Sequence, residues 1–273
     1  MNIKDIRKDF PIVDEIAYLD NACMTLKPYP VIEAVNTYYN EYPVCGGGRS
    51  PNSLSKKLDS KIRQGRKAIK EMINAESEEQ IVFTKNTTEA INMVAQGMDF
   101  ERGDVVLTTD KEHNSNLSPW VKLKEEKGTY LEHVFSKEDH SFDLEQFKEK
   151  MDSDVKLVSM VHTSNLDGTT IPAKEISEIT HDHGALFMLD AAQSVPHRKI
   201  DVKELNVDML TFSVHKMLGP TGVGVLYGKK DILKELRPLT VGGGNTKEST
   251  YDSFELHPTP RKFESGLQNY ASF

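Results

Sequence analysis

The chain has 273 residues, 37% of them hydrophobic and 28% charged, the composition of a soluble globular protein with room for one large domain or two modest ones. Acidic residues number 42 against 34 basic ones, a net charge of -8, which argues against a nucleic-acid or anionic-membrane partner, since either wants a basic face. No apolar run reaches the roughly 18 residues that span a bilayer. Residues 1–10 lack a secretory signal, and the two cysteines, Cys23 and Cys45, form neither a disulfide framework nor a metal pattern, so a reducing cytoplasm is the expected location.

Residues 1–50 carry several prolines and the stretch Pro43-Val44-Cys45-Gly46-Gly47-Gly48-Arg49-Ser50, which predicts a loop-rich N-terminal segment. A first long helix is expected over 53–73, where Leu54, Leu58, Ile62, Ile69, Met72 and Ile73 share one face. A short strand over 81–84 and a helix over 88–97 follow. Further strands are predicted at 105–108, 155–161, 185–189, 209–214 and 223–227, with helices at 144–151 and 173–183. This alternation predicts a mostly parallel sheet sandwiched by helices. Beyond Arg237 the text turns to Pro, Gly, Ser and Thr, and the chain is expected to stop at Phe273 without a closing element, as a fragment would. The expected division is therefore 1–50 as the N-terminal segment, 51–240 as the large sheet domain and 241–273 as the start of a connection.

Two apolar runs each end in ionisable residues: 185–189 in Asp190, and 209–214 in His215 and Lys216. A lysine amine can hold the aldehyde of pyridoxal phosphate as a Schiff base, and a carboxylate facing the pyridine nitrogen keeps it protonated. Neighbouring parallel strands present their carboxyl ends at one crevice, where ligands bind. The plainer alternative is a capping aspartate and a solvated lysine. Asn86-Thr87-Thr88-Glu89 follows a strand and opens a helix, which suits a phosphate at the helix N-terminus, with simple capping as the alternative. His113 follows the 105–108 strand and can stack on a ring and shuttle a proton, or merely be solvated. Asn165 follows the 155–161 strand, and Gln193 lies just past Asp190; both can hydrogen-bond cofactor or substrate, or serve turns.

Other signals carry less. Gly219-Pro220-Thr221-Gly222-Val223-Gly224 comes after the lysine and has the wrong spacing for a dinucleotide or P-loop. His181-Asp182-His183 has no third ligand near it and reads as a surface cluster, as do Asp139-His140 and His197-Arg198.

Taken together, Asn86-Thr87-Thr88-Glu89, Glu112-His113, Ser164-Asn165, Asp190-Ala191-Ala192-Gln193 and Ser213-Val214-His215-Lys216, followed by Gly219-Pro220-Thr221-Gly222-Val223-Gly224, resemble the class V aminotransferase family of fold-type I pyridoxal phosphate enzymes. Within it the match is closest to the cysteine desulfurase and selenocysteine lyase group, and it runs from Tyr18-Leu19-Asp20-Asn21-Ala22 to Phe263-Glu264-Ser265-Gly266. The resemblance implies a large domain built on a mostly parallel seven-stranded sheet. It implies Lys216 as the cofactor lysine, Asp190 as the partner of the pyridine nitrogen and His113 as a ring-stacking, proton-handling imidazole. Thr88, Ser213 and His215 would hold the phosphate with Thr87 adjacent, Gln193 would meet the phenolic oxygen and Asn165 would face the substrate.

The implied activity is conversion of L-cysteine to alanine, with sulfur taken by a thiolate and passed to an acceptor for iron-sulfur cluster assembly, in a homodimer. The alternatives are a kynureninase-like hydrolase, an epimerase, an aminotransferase, or a cofactor-binding shell without turnover of its own. In the family a C-terminal domain carries the sulfur-accepting cysteine and a carboxylate-binding arginine, and the sequence ends before both. Leu267 stands in Gly266-Leu267-Gln268-Asn269 where relatives carry a threonine that reaches the partner subunit's phosphate; a leucine cannot donate that bond. Cys23 and Cys45 are the only thiols in the chain, and Cys45, beside three glycines and Arg49, is the better-placed of the two on sequence grounds.

Overall fold

The structure, a computed structural model, describes residues 2–273. A short helix, α1 (Ile3–Arg7), and a longer one, α2 (Tyr29–Glu41), open the chain, followed by α3 (Ser53–Met72). The alternating body comprises β1 (Ile81–Thr84), α4 (Thr87–Gly97), β2 (Val105–Thr109), α5 (Asn114–Lys127), β3 (Tyr130–Val134), α6 (Leu144–Lys150), β4 (Val155–Val161) and α7 (Ala173–Asp182). It continues through β5 (Leu186–Asp190), α8 (Val202–Leu205), β6 (Met209–Ser213), β7 (Gly224–Gly228) and α9 (Lys230–Glu235). A hairpin of β8 (Thr246–Ser249) and β9 (Phe254–Leu256) stands apart from the main sheet. Among the described residues no helix is long and apolar enough to cross a membrane.

The main sheet has seven strands in the order β1-β7-β6-β5-β4-β2-β3. All neighbours are parallel except β7, which runs antiparallel to both β1 and β6. The expected mostly parallel, helix-covered sheet is what the chain forms. Its strands other than the edge strand β3 are buried almost throughout and mostly apolar, because helices cover both faces. Successive residues alternate between two cores: Leu210 and Phe212, Phe187 and Leu189, and Val225 and Tyr227 enter one, while Met209, Met188 and Leu226 enter the other. At about 1.5–3 kcal/mol for each fully buried large side chain, a one-residue slip of any of these strands would forfeit several kcal/mol, so register is tightly set.

Three expectations need correction. Residues 1–50 are not loop-rich throughout, because α1 and α2 lie there. Pro28 is the N-cap of α2 and Pro30 falls in its first turn, where a missing N–H costs nothing, so the prolines start this helix rather than prevent it. The segment after β2 holds α5 and β3, which periodicity did not signal. Pro119 lies inside α5, and β3 is an edge strand of mixed polarity, Tyr130-Leu131-Glu132-His133-Val134, with only Val134 buried. The tail is not featureless either, since it carries the β8–β9 hairpin and short 3-10 turns at Arg261–Phe263 and Tyr270–Ser272.

Candidate active site

Parallel β4, β5 and β6 end side by side, and their register decides what meets at the edge. Val161 pairs with Asp190, and Asp190 pairs with Thr211. Asp190 is the last residue of β5, one position inside the strand rather than after it. Ser213 closes β6, and the chain then turns through a 3-10 segment, Val214–Lys216, which brings Lys216 back over the strand ends. On the other side of β6, Gly224 of β7 pairs with both Ser213 and Thr84, so the N-terminus of α4 comes to the same edge.

A cavity of about 500 Å³ opens there, lined by Lys216, Asp190, His113, Thr87, Thr88, Asn165, Gln193, Ser213 and His215. All nine residues singled out from the sequence therefore face one space. The wall also includes Asp20, Ala22, Cys23 and Ser115, which sequence reasoning did not place. The first three come from the N-terminal segment. It is strapped across the cavity by Gln193 Nε2, which donates to the Ala22 carbonyl at 2.7 Å, and by the Thr25 hydroxyl and the Lys27 amine, which donate to the His215 carbonyl at 3.0 and 2.9 Å. The Gln193 amide thus has a backbone partner in this structure. Cys45 is not part of the lining, which reverses the sequence-based preference between the two thiols.

Asp190 is 2% exposed, and its carboxylate accepts one hydrogen bond among the described residues, from the Ala192 N–H to Oδ1 at 2.9 Å. Oδ2 has no partner among the described residues. Burial pushes this carboxyl up; the Ala192 N–H and the nearby Lys216 and His113 oppose that shift. A buried carboxylate with an open oxygen calls for a cationic or N–H partner inside the cavity. A protonated pyridine nitrogen meets that need, and the amine of Lys216 in the same wall suits the aldehyde.

The phosphate end fits as well. The Thr87 N–H donates to Ser213 Oγ at 2.9 Å, the Thr87 and Ser213 hydroxyls lie 2.8 Å apart, and the Thr88 and Ser115 hydroxyls lie 2.7 Å apart. These four hydroxyls sit at the positive end of α4, and His215 and Lys27 add basic groups near Lys216. A Cβ on Gly224 would fall 2.5 Å from the Asn86 Cα, so glycine is what lets β7 approach the helix start this closely. Capping is present too: Asn86 Oδ1 accepts the Glu89 N–H at 2.9 Å, and Glu89 Oε2 accepts the Lys85 N–H at 2.6 Å. Both sequence alternatives for this stretch therefore coexist, on different atoms.

His113 is the N-cap of α5; its Nδ1 accepts the Ser115 N–H at 3.1 Å, which in a neutral ring leaves the hydrogen on Nε2. Burial depresses the basicity of His215, and Lys216 and Lys27 depress it further. Asn165 lies in a turn held by Lys111, whose amine donates to Asp167 Oδ2 and the His140 carbonyl at 2.6 Å each. The His181 expected in a surface cluster is instead bonded through Nε2 to the buried Asp208 at 2.8 Å.

A mostly parallel sheet whose strand ends present a lysine, a buried aspartate and a hydroxyl-lined helix start to one cavity defines a pyridoxal phosphate enzyme of fold type I. The Aminotransferase class-V family model matches residues 17–273, and the chain belongs to that family. It is 41% identical over 274 residues to a probable cysteine desulfurase of Methanothermobacter thermautotrophicus, across 100% of this chain and 68% of that protein. With a probable cysteine desulfurase of Pyrococcus abyssi it shares 40% identity over 269 residues, covering 97% and 66%. Among solved structures, the cysteine desulfurase of Thermococcus onnurineus NA1 superimposes with a TM-score of 0.94 at 39% identity, covering 98% of this chain and 67% of that one. The cysteine desulfurase CsdA of Escherichia coli gives 0.91 at 31% identity, covering 100% and 69%. The chain is thus cysteine desulfurase-like in sequence and fold, and it spans about two thirds of the length of these relatives.

Proposed function

We propose that this chain binds pyridoxal phosphate through Lys216 and desulfurates L-cysteine to alanine, passing the sulfur to an acceptor that feeds iron-sulfur cluster assembly. The observation that carries the reading is the pairing of Lys216 with a 2% exposed, open-oxygen Asp190 across one cavity. When bound, the cofactor supplies an electron sink for bond breaking next to the substrate's α-carbon. Asp190 holds the proton on the ring nitrogen and so keeps that sink effective. Lys216 Nζ would hold the cofactor aldehyde and, when free, would be the base for the substrate's α-proton. His113 covers the ring and moves a proton through Nε2; Thr87, Thr88, Ser213 and His215 hold the phosphate, and Asn165 and Gln193 orient cofactor and substrate from the strand ends. A homodimer in the cytoplasm is the setting proposed for this chemistry, with Leu267 offering no hydrogen bond to a partner's phosphate.

The test is direct. Pure protein should absorb in the visible as a lysine-bound pyridoxal chromophore, lose that band on borohydride treatment, and yield a mass-tagged peptide containing Lys216. Lys216→Ala should abolish the tag, and a tag on another lysine would overturn the assignment. With a thiol reductant present to release the transferred sulfur as sulfide, alanine and sulfide formed in equal amounts from L-cysteine separate a desulfurase from a hydrolase, an epimerase or an aminotransferase of the same family, none of which produces both.

A further inference from the structure

Glu112 stands beside His113 in sequence, does not line the cavity, and has no role in the proposed chemistry. Its carboxylate is turned into the protein and caged. Oε1 accepts the Thr109 hydroxyl at 2.6 Å and the Val161 N–H at 2.9 Å, and Oε2 accepts the Asn116 side-chain amide at 2.7 Å. Asn116 is fully buried, and its oxygen accepts the Ser159 hydroxyl at 2.7 Å and the Trp120 indole N–H at 3.2 Å. One carboxylate therefore joins the end of β2, the first turn of α5 and the end of β4. Two of these deliver part of the cavity wall: α5 is capped by His113 and carries Ser115, and β4 ends at Val161, opposite Asp190 and just before Asn165.

We propose that Glu112 is a positioning residue: by bonding Thr109, Asn116 and Val161 at once, it holds the β2–α5 turn against β4 and so sets where the His113 imidazole stands over the cofactor. This rests on the reading of His113 as the ring-covering imidazole. The donor set is specific. Three donors face the carboxylate, so its ionised form is the one the cage satisfies, although burial opposes the charge and the neighbouring Asp190 adds to that opposition, raising this carboxyl to about 7.

That specificity supplies the experiment. In Glu112→Gln the new NH2 group meets the NH2 of Asn116, donor against donor, and turning Asn116 over would break its bonds to Ser159 and Trp120. In Glu112→Gln/Asn116→Asp the NH2 faces a carboxylate instead, and the other Asp oxygen still accepts from Ser159 and Trp120, so the joint closes again with its charge restored. Two readouts are taken on cofactor-loaded protein: the rate of alanine formation from L-cysteine, and the NMR signals of the nine histidine rings. Glu112→Gln should lower kcat about tenfold or more with KM changed less than about twofold, the scale on which small misplacements of a catalytic group act. It should also move the ring signal of His113 and leave those of the distant His181, His183 and His257 in place. The double variant should return both readouts toward the original. Unchanged kcat and His113 signals in Glu112→Gln, or a double variant as impaired as the single one, would overturn the proposal. If the unaltered protein forms no alanine, the desulfurase reading fails by itself, and the His113 signal still decides the role of Glu112.

Discussion

The pair Arg66–Glu264 offers a test of how the C-terminal segment is held to the sheet. Arg66 on α3 and Glu264 have side chains only 10% exposed, joined by two parallel bonds of 2.8 and 3.0 Å, and Glu264 Oε1 also accepts the Phe83 N–H at 3.0 Å. Arg66 further donates to the Ile81 carbonyl and lies over the Phe83 ring at 4.4 Å from its centroid, while that ring stacks on Phe273 at 4.4 Å. The arginine cannot swing out to solvent without giving up these contacts. Glu264→Gln keeps the size and one acceptor but strands a buried guanidinium, a loss of about 3 kcal/mol at the lower end of the 3–5 kcal/mol typical of broken buried pairs. For a chain of this length that corresponds to a fall in Tm of roughly 6–12 °C. Urea unfolding at constant m-value measures it directly. The control Arg66→Met/Glu264→Leu removes both charges and should recover most of the loss. If Glu264→Gln costs under about 1 kcal/mol, the pair behaves like a surface ion pair and the reasoning from burial is wrong.

Other consequences are open to measurement. Gly224→Ala places a methyl group 2.5 Å from the Asn86 Cα and should cost about 1–3 kcal/mol while weakening cofactor retention, read by spectral titration with pyridoxal phosphate; unchanged affinity would show that the α4 start tolerates displacement. His162 is 7% exposed, its Nδ1 is unbonded, and burial pushes its pKa down to about 4, with Arg198 assisting. Because the folded state disfavours the charged ring, this histidine's stabilising contribution is complete above the unfolded pKa of about 6.5 and falls by about 3 kcal/mol as pH drops to about 4. His162→Gln should flatten that part of the stability curve, and an unaltered slope between these pH values would refute the assignment. Alkylating Cys23 with iodoacetamide should block the cavity and be slowed by bound cofactor, whereas Cys45 should react regardless. Undiminished alanine formation from L-cysteine after complete blocking of both would rule out either thiol as the sulfur acceptor.

Much of the site was legible because its chemistry resides in residue types that strand-helix texts use sparingly. A lysine and an aspartate each closing an apolar run, and a threonine pair opening a helix, are local patterns, and a parallel sheet brings such strand ends to one edge. Glu112 escaped notice for the opposite reason: an acidic residue in a polar turn is ordinary text, and only the approach of Val161 from β4 and Asn116 from α5 makes it a buried joint. Cys23 was undervalued because the segment from Asp20 to Thr25 has no periodicity of its own; its position depends on bonds to Gln193 and His215, distant in sequence.

By itself, the order of residues determined the alternating architecture, the parallel character of the sheet and the set of side chains gathered at its carboxyl edge, since hydrophobic periodicity and strand-end polarity are properties of short stretches. Tertiary structure alone decided which loops close over that edge, which strand forms the polar border, and how much charge is buried beneath the site. Those outcomes arise where segments far apart in sequence desolvate one another, and no local pattern encodes the partner.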